Sequence, residues 1–283
     1  MRSSAGMKCS GHQPTTARDL STWCSQFATL AMLSAMRSSP CLISGGPHSA
    51  TMMAKAAKHF GAVRAGALVG VVLAGGEGRR MGPGPLKPLR PLAGRPMVAH
   101  VVERLRPQVM DLVVVANDPS PAFRKLKVPV IADPPDIQRA ARREGRRLGP
   151  LAGILAGMEW SLREHPHAGW ILTAPADVPF LPLDLTVRLC GLMHVPEPDV
   201  LMVRHGKRRE HTLAVWSVKL AADLRKAVLE EGVRRVDEFA RRYVFEELVW
   251  PGGGAGSFLN VNTPAELKVA AGRLAGVRSR SRR

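Results

Sequence analysis

Acidic residues are scarce in this chain. Only 23 Asp plus Glu face 41 Lys plus Arg, giving a formal charge of +18 across 283 residues. Such a surplus suits anionic partners, either nucleic acid or small phosphorylated substrates. Arg outnumbers Lys by 31 to 10, and a guanidinium grips phosphate bidentately where an ammonium acts as a point charge. Aromatic residues are also few, 13 with a single Tyr, so stacking platforms for single strands are scarce. An Arg-rich solvated surface with no ligand explains much of the charge as well.

Cysteine is nearly absent. Cys9, Cys24 and Cys41 fall in the first 66 residues and only Cys190 lies beyond them. No CxxC pair and no zinc-spaced Cys/His set occurs, which excludes a disulfide framework in the folded part and fits a reducing cytoplasm. No run approaches the roughly 18–20 apolar residues needed to cross a bilayer. Histidines show no HExxH spacing, and no GxSxG elbow appears, so zinc hydrolases and nucleophile-elbow hydrolases are disfavoured.

Residues 1–66 hold one acid, Asp19, against seven bases, with many Ser, Thr and Met and no periodicity. The expectation is a disordered or mis-called extension, with Met52 and Met53 as alternative starts; an Arg- and Ser-rich transit peptide is the second reading. Without it, 34 bases still face 22 acids, so the body retains +12.

The body alternates short apolar runs with amphipathic segments. Ala67–Ala74, Leu112–Ala116, Val128–Ala132 and Trp170–Ala174 read as strands buried on both faces of a parallel sheet. Val200–Val203 and Leu213–Trp216 also read as strands. Helices are expected over Pro96–Arg106, Leu151–Leu162 (with small residues on one face), Leu183–Leu192, Val218–Glu230 and Val233–Arg241. A last helix should start at Thr263-Pro264-Ala265-Glu266, where Thr, Pro and Glu make a capping box. The alternation predicts an α/β protein with a mainly parallel, doubly wound sheet. Ligands in such sheets sit at the carboxyl ends of the strands.

The candidate chemistry falls at those ends. The first strand runs into Leu73-Ala74-Gly75-Gly76-Glu77-Gly78-Arg79-Arg80-Met81-Gly82. Three glycines let the backbone approach a ligand and aim N–H groups at phosphate oxygens. The spacing matches neither GxGxxG, since Met81 stands at its last position, nor a P-loop. Lys87 follows in a Pro-rich loop, Pro83 to Pro91, that is too rigid for helix and brings a cation within reach of the same phosphates. Asp177 ends the fourth strand in Ala174-Pro175-Ala176-Asp177-Val178-Pro179, and Asp133 ends the third. One or both suit Mg²⁺ bound with substrate phosphates; turn capping is the alternative, on even terms for Asp133. Arg139, Arg142, Arg143, Arg146 and Arg147 form a basic loop, either solvated or clamping a polyanion.

Together these residues resemble the molybdenum cofactor guanylyltransferase family of bacterial nucleotidyltransferases. The likeness covers about residues 67–275. It is carried by LAGGEGRRMG (73–82), Lys87, VIADPP (130–135), GPLAGILAGM (149–158), APADVPFLP (174–182), EHTLAVW (210–216), GVRRVDEFA (232–240) and FLNVNTPAEL (258–267).

The resemblance implies a three-layer α/β/α sandwich with a Rossmann-like nucleotidyltransferase sheet over 67–275, followed by a basic tail, 276–283. It implies GMP transfer from Mg-GTP to the terminal phosphate of molybdenum-bound molybdopterin, with pyrophosphate released. Leu73, Ala74 and Gly75 would hold guanine and nucleotide through their backbone, with Lys87 and Asp133 contacting GTP. Asp177 would bind Mg²⁺ and nucleotide, and Arg80 would meet the triphosphate. Asn260 and Asn262 would lie towards the pterin.

A monomeric cytoplasmic enzyme follows, with a molybdenum insertion protein and molybdoenzyme chaperones as partners and no membrane. Two departures stand out: Leu86 occupies a position where the family usually has an acid, and Asn117, rather than a residue at Val115, is the nearest candidate for a nucleotide-contacting Asn. The segment 136–148 resembles an expansion. The rival readings are a CTP-dependent cytidylyltransferase of the same cofactor, a sugar-1-phosphate nucleotidyltransferase and, from another class, a basic nucleic-acid-binding protein.

Overall fold

The computed structural model describes residues 68–280, apart from 77, 119, 146–148, 194–197 and 251–256. The expected extension 1–66, Arg146, Arg147 and residues 281–283 of the basic tail lie outside the described residues.

Strand β1 (Leu68–Leu73) sits inside a seven-stranded sheet because its side chains are apolar on both faces. Val69 and Val71 join one core cluster, Leu68 and Val72 the other. Strands β4 (Asp111–Val115), β5 (Val130–Ile131) and β6 (Trp170–Pro175) run parallel to it, and β2 (Pro91–Leu92) with β3 (Arg95–Pro96) forms a separate small ladder. The order is β5-β4-β1-β6-β8-β7-β9, completed by β7 (Val200–His205), β8 (Arg208–Ser217) and β9 (Phe245–Trp250).

The sheet is mainly parallel, as expected, with one exception. Strand β8 runs antiparallel to both β6 and β7. Only Gly206 and Lys207 separate β7 from β8, and a connection that short can only reverse the chain.

Helices cover both faces. Helices α3 (Pro150–Glu164), α5 (Ala221–Leu229) and α6 (Val236–Ala240) pack on one side; α1 (Met97–Leu105) and α4 (Leu185–Cys190) pack on the other. The result is a three-layer α/β/α sandwich. The small face of α3 lets it lie tight on β1: a Cβ at Gly157 would come within 2.6 Å of Val71, and one at Gly153 within 3.0 Å of Leu73.

Two segments depart from expectation. The arginine-rich stretch is helical over α2 (Pro135–Arg143), because Ile137 and Ala141, four apart, both bury. The Pro-rich loop contains a short 3₁₀ turn, Lys87–Leu89, whose start Pro88 supports with its fixed φ. Helix α7 (Pro264–Arg280) carries the first residues of the basic segment within the helix. No helix among the described residues is long and apolar enough to cross a membrane.

Candidate active site

The chain leaves β1 towards β4 and β5, then returns to β6 on the other side of β1. The C-terminal ends of β1 and β6 therefore flank a topological switch point, where open α/β sheets bind ligands. A cleft of about 410 Å³ opens there, a volume suited to a nucleotide-sized ligand. Leu73, Ala74, Gly75, Lys87, Asp133, Asp177 and Asn260, predicted from widely separated motifs, all line it.

The glycine loop forms the first wall. Gly78 takes φ +59°, and a Cβ there would sit 2.4 Å from the Lys87 Cβ. Only glycine lets the Lys87 stem lie flat on this loop. From there the Lys87 ammonium contacts the Asp177 carboxylate and donates to Asn262 Oδ1 at 2.7 Å. Arg80 Nη2 donates to the same Asn262 oxygen at 3.1 Å from the exposed rim. Two cations thus converge on one amide oxygen beside one carboxylate.

Asn262 is held by the start of α7. Glu266 accepts from the backbone N–H groups of Asn262 (2.6 Å) and Thr263 (3.0 Å), while Glu266 N–H donates to Thr263 Oγ1 (3.2 Å). This is the predicted capping box, and the two N–H bonds hold the Glu266 carboxyl below its usual range. The segment is also tied to β6 by Val261 N–H donating to the Asp177 carbonyl at 2.9 Å. The Asn260 side-chain oxygen is buried without a partner among the described residues.

Asp133 has different surroundings. It is 6% exposed, and it exchanges two hydrogen bonds with Asn117: Asn117 Nδ2 donates to Asp133 Oδ2 at 2.6 Å, and Asp133 N–H donates to Asn117 Oδ1 at 2.9 Å. Burial pushes its carboxyl up, against the lowering effect of the Asn117 bond. Both the amide nitrogen and the amide oxygen of Asn117 are thus engaged by Asp133. Gln138 Nε2, from α2, donates to the Asp133 carbonyl at 2.7 Å.

Other parts of the cleft came from signals less easily read. Gly149, Pro150 and Gly153 bring the N-terminus of α3 to the cleft, where unpaired N–H groups and the helix dipole favour anions. Thr212 also lines it. It gets there through an irregularity in β8: Met202 pairs with Ala214 but Val203 pairs with Glu210, so His211, Thr212 and Leu213 lie outside the ladder. Nothing in the local sequence marks that bulge. Nearby Glu210 is buried, which pushes its carboxyl up; Arg208 opposes the shift. Arg139, Arg142 and Arg143 sit on the exposed face of α2 and do not line the cleft.

Among the described residues, no cluster of three or more His, Cys, Asp or Glu is placed to hold a metal alone. The donors near Lys87 are hard oxygens, those of Asp177 and Asn262. Such a set suits a cation that takes one carboxylate and completes its shell with phosphate and water.

A phosphate-friendly glycine loop, two cations and an acid at the switch point of a parallel sheet define a nucleotide-handling α/β protein of the nucleotidyltransferase class. Comparison with known proteins narrows this. Residues 70–244 match the MobA-like NTP transferase domain. The chain is 42% identical over 200 residues to a molybdenum cofactor guanylyltransferase of Rhodopseudomonas palustris (strain BisB5), covering 71% of this chain and 90% of that one. It is 38% identical over 214 residues to one of Bradyrhizobium sp. (strain ORS 278), covering 76% and 96%. The crystal structure of molybdopterin-guanine dinucleotide biosynthesis protein A from Archaeoglobus fulgidus superposes with a TM-score of 0.57 at 25% identity, covering 74% of this chain and 99% of that one. The chain belongs to the molybdenum cofactor guanylyltransferase family of MobA-like nucleotidyltransferases.

Proposed function

We propose that this enzyme transfers GMP from GTP to the terminal phosphate of molybdenum-bound molybdopterin, yielding the guanine dinucleotide cofactor and pyrophosphate. An acceptor phosphate oxygen bonds to the α-phosphorus of GTP while the bond from that phosphorus to the pyrophosphate oxygen breaks. The observation that carries the reading is the convergence of Lys87, Arg80, Asn262 and Asp177 beside the glycine loop.

The acceptor is already anionic, so no strong base is required. Its obstacle is repulsion from the triphosphate. Lys87 and Arg80 counter that charge, with the loop N–H groups and the α3 N-terminus adding fixed positive ends. Leu73, Ala74 and Gly75 support the nucleoside through their backbone, and Asp133 offers a desolvated acceptor to its hydrogen-bond donors. Asn260, whose side-chain oxygen has no partner among the described residues, and Asn262 face the acceptor.

Enzymes of this class use a divalent cation. Mg²⁺ held by Asp177 would neutralise triphosphate charge and orient the α-phosphate. With the Asp177 carboxylate shared with a metal ion, the Lys87 ammonium would be available to pair with phosphate.

Pyrophosphate release by the full chain, with molybdenum-loaded molybdopterin and either Mg-GTP or Mg-CTP, tests the reading. Release with GTP alone is expected. Release with CTP alone makes the enzyme a cytidylyltransferase, and release with neither overturns the assignment.

A further inference from the structure

We propose that Arg90 is a positioning residue for the transfer: its guanidinium staples the proline-rich segment to the end of the glycine loop and thereby holds Lys87 over the cleft. The inference rests on the reading of Lys87 as a triphosphate contact.

Leu86 and Leu89 pack the segment from Gly82 to Pro91 against the core and Pro88 is buried, but backbone donors in it are few. Pro83, Pro85, Pro88 and Pro91 have no backbone N–H to donate. Arg90 supplies the missing donors. Its Nη2 reaches the Gly82 carbonyl at 2.5 Å and the Pro83 carbonyl at 2.9 Å. Its own carbonyl accepts from Met97 N–H at 2.9 Å, at the first residue of α1, and its N–H donates to the Lys87 carbonyl at 3.2 Å. One residue therefore links the glycine loop, the 3₁₀ turn that carries Lys87 and the start of a packed helix.

The backbone is shaped around this guanidinium. Gly84 takes φ +129°, and a Cβ there would lie 2.6 Å from Arg90 Nη1 and 3.0 Å from Cζ. A larger residue there would push the guanidinium aside and strain the backbone. Lys87 is accordingly fixed from two directions, by Gly78 under its stem and by Arg90 three residues on. A lysine at position 90 keeps the charge, but its stem ends one bond short of Nη2 and it has no planar group to lie over Gly84.

The test is kinetic, on the full chain, using Arg90→Lys, Arg90→Ala, Lys87→Met and the Lys87→Met/Arg90→Lys double variant. Misplacing a reacting group by about 1 Å costs on the order of 10²-fold, so Arg90→Lys should lose about that in kcat/KM, chiefly in kcat. Millimolar guanidinium chloride should partly restore Arg90→Ala and leave the parent enzyme unchanged. The double variant should be no slower than Lys87→Met alone, because both changes act through one ammonium.

Parent-level kcat/KM in Arg90→Lys would show that charge suffices and overturn the staple. Additive losses in the double variant, or absence of guanidinium rescue, would overturn its action through Lys87. If Lys87→Met itself turns over at the parent rate, the reading of Lys87 fails, and the staple falls with it for that separate reason.

Discussion

The ends of β5 and β6 present the same residue type at matching places in the fold, yet treat it in opposite ways. Asp133, beyond β5, is buried against a neutral amide, and burial pushes its carboxyl up. Asp177, beyond β6, meets the Lys87 ammonium, with Asn262 and Arg80 one contact further out. A carboxylate facing a neutral partner in a dry setting suits a ligand's N–H or O–H donors. A carboxylate already compensated by a lysine ammonium suits a site where a metal ion and phosphate charge meet. The contrast argues that the cleft divides into a nucleoside end and a phosphate end.

The strongest way to break this division is Asp177→Ala. Metal-dependent turnover should fall by on the order of 10³-fold or more, since both metal positioning and charge compensation are lost. Circular dichroism and the thermal midpoint should stay near those of the parent, because the Val261 tie uses the Asp177 backbone. Near-parent turnover would remove Asp177 from the phosphate end.

Asp133→Asn should act more weakly and with a sign reversal between function and stability. We expect roughly tenfold weaker GTP binding, about 1.4 kcal/mol, measured by titration calorimetry. The folded carboxyl sits above its ordinary value of 3.8, so the native state binds the proton more tightly than the unfolded chain does. Stability from this group is then present at low pH and lost as pH rises from 3.8 to the raised folded value. Removing the charge should therefore raise the thermal midpoint at pH 7. A lower midpoint at pH 7 would contradict the assignment of a desolvated carboxylate.

Asn117→Ala sharpens the same point. With its lowering hydrogen bond gone, the Asp133 carboxyl should rise further. GTP binding should then weaken several-fold and recover towards higher pH, as read by titration calorimetry across pH.

The smallest effect is expected at Thr263→Ala, which removes half of the capping box. Loss of an N-cap costs about 1 kcal/mol, so the thermal midpoint should drop by about 2–4 °C. Turnover should change less than in Asp133→Asn, because Glu266 still holds the Asn262 N–H.

Much of this was legible in the chain itself. Apolar runs bounded by glycine or aspartate point to β1, β4 and β6, since strands buried on both faces need no polar alternation; Val128–Ala132, expected to be buried likewise, forms only the two-residue β5 at the sheet edge, with Val130 exposed. The Thr263-Pro264-Ala265-Glu266 signature placed the start of α7, because capping is a local interaction within one turn. Leu73, Ala74, Gly75, Lys87, Asp133, Asp177 and Asn260 were named from strand ends and motifs and line one cleft.

What the sequence determined, then, was set by interactions a few residues in range: strand polarity, helix caps and the residue types at strand ends. The tertiary structure decided what depends on partners far along the chain. It paired Lys87 with Asp177 and Asn262, 90 and 175 positions away, and it locked Asp133 to Asn117. It reversed β8 and bulged it so that Thr212 faces the cleft. It also turned the arginine-rich stretch into a helix whose cations point to solvent. No local pattern encodes these, because each depends on which distant segment packs alongside; the sequence supplied two aspartates, and only packing gave one a neutral partner and the other a cation.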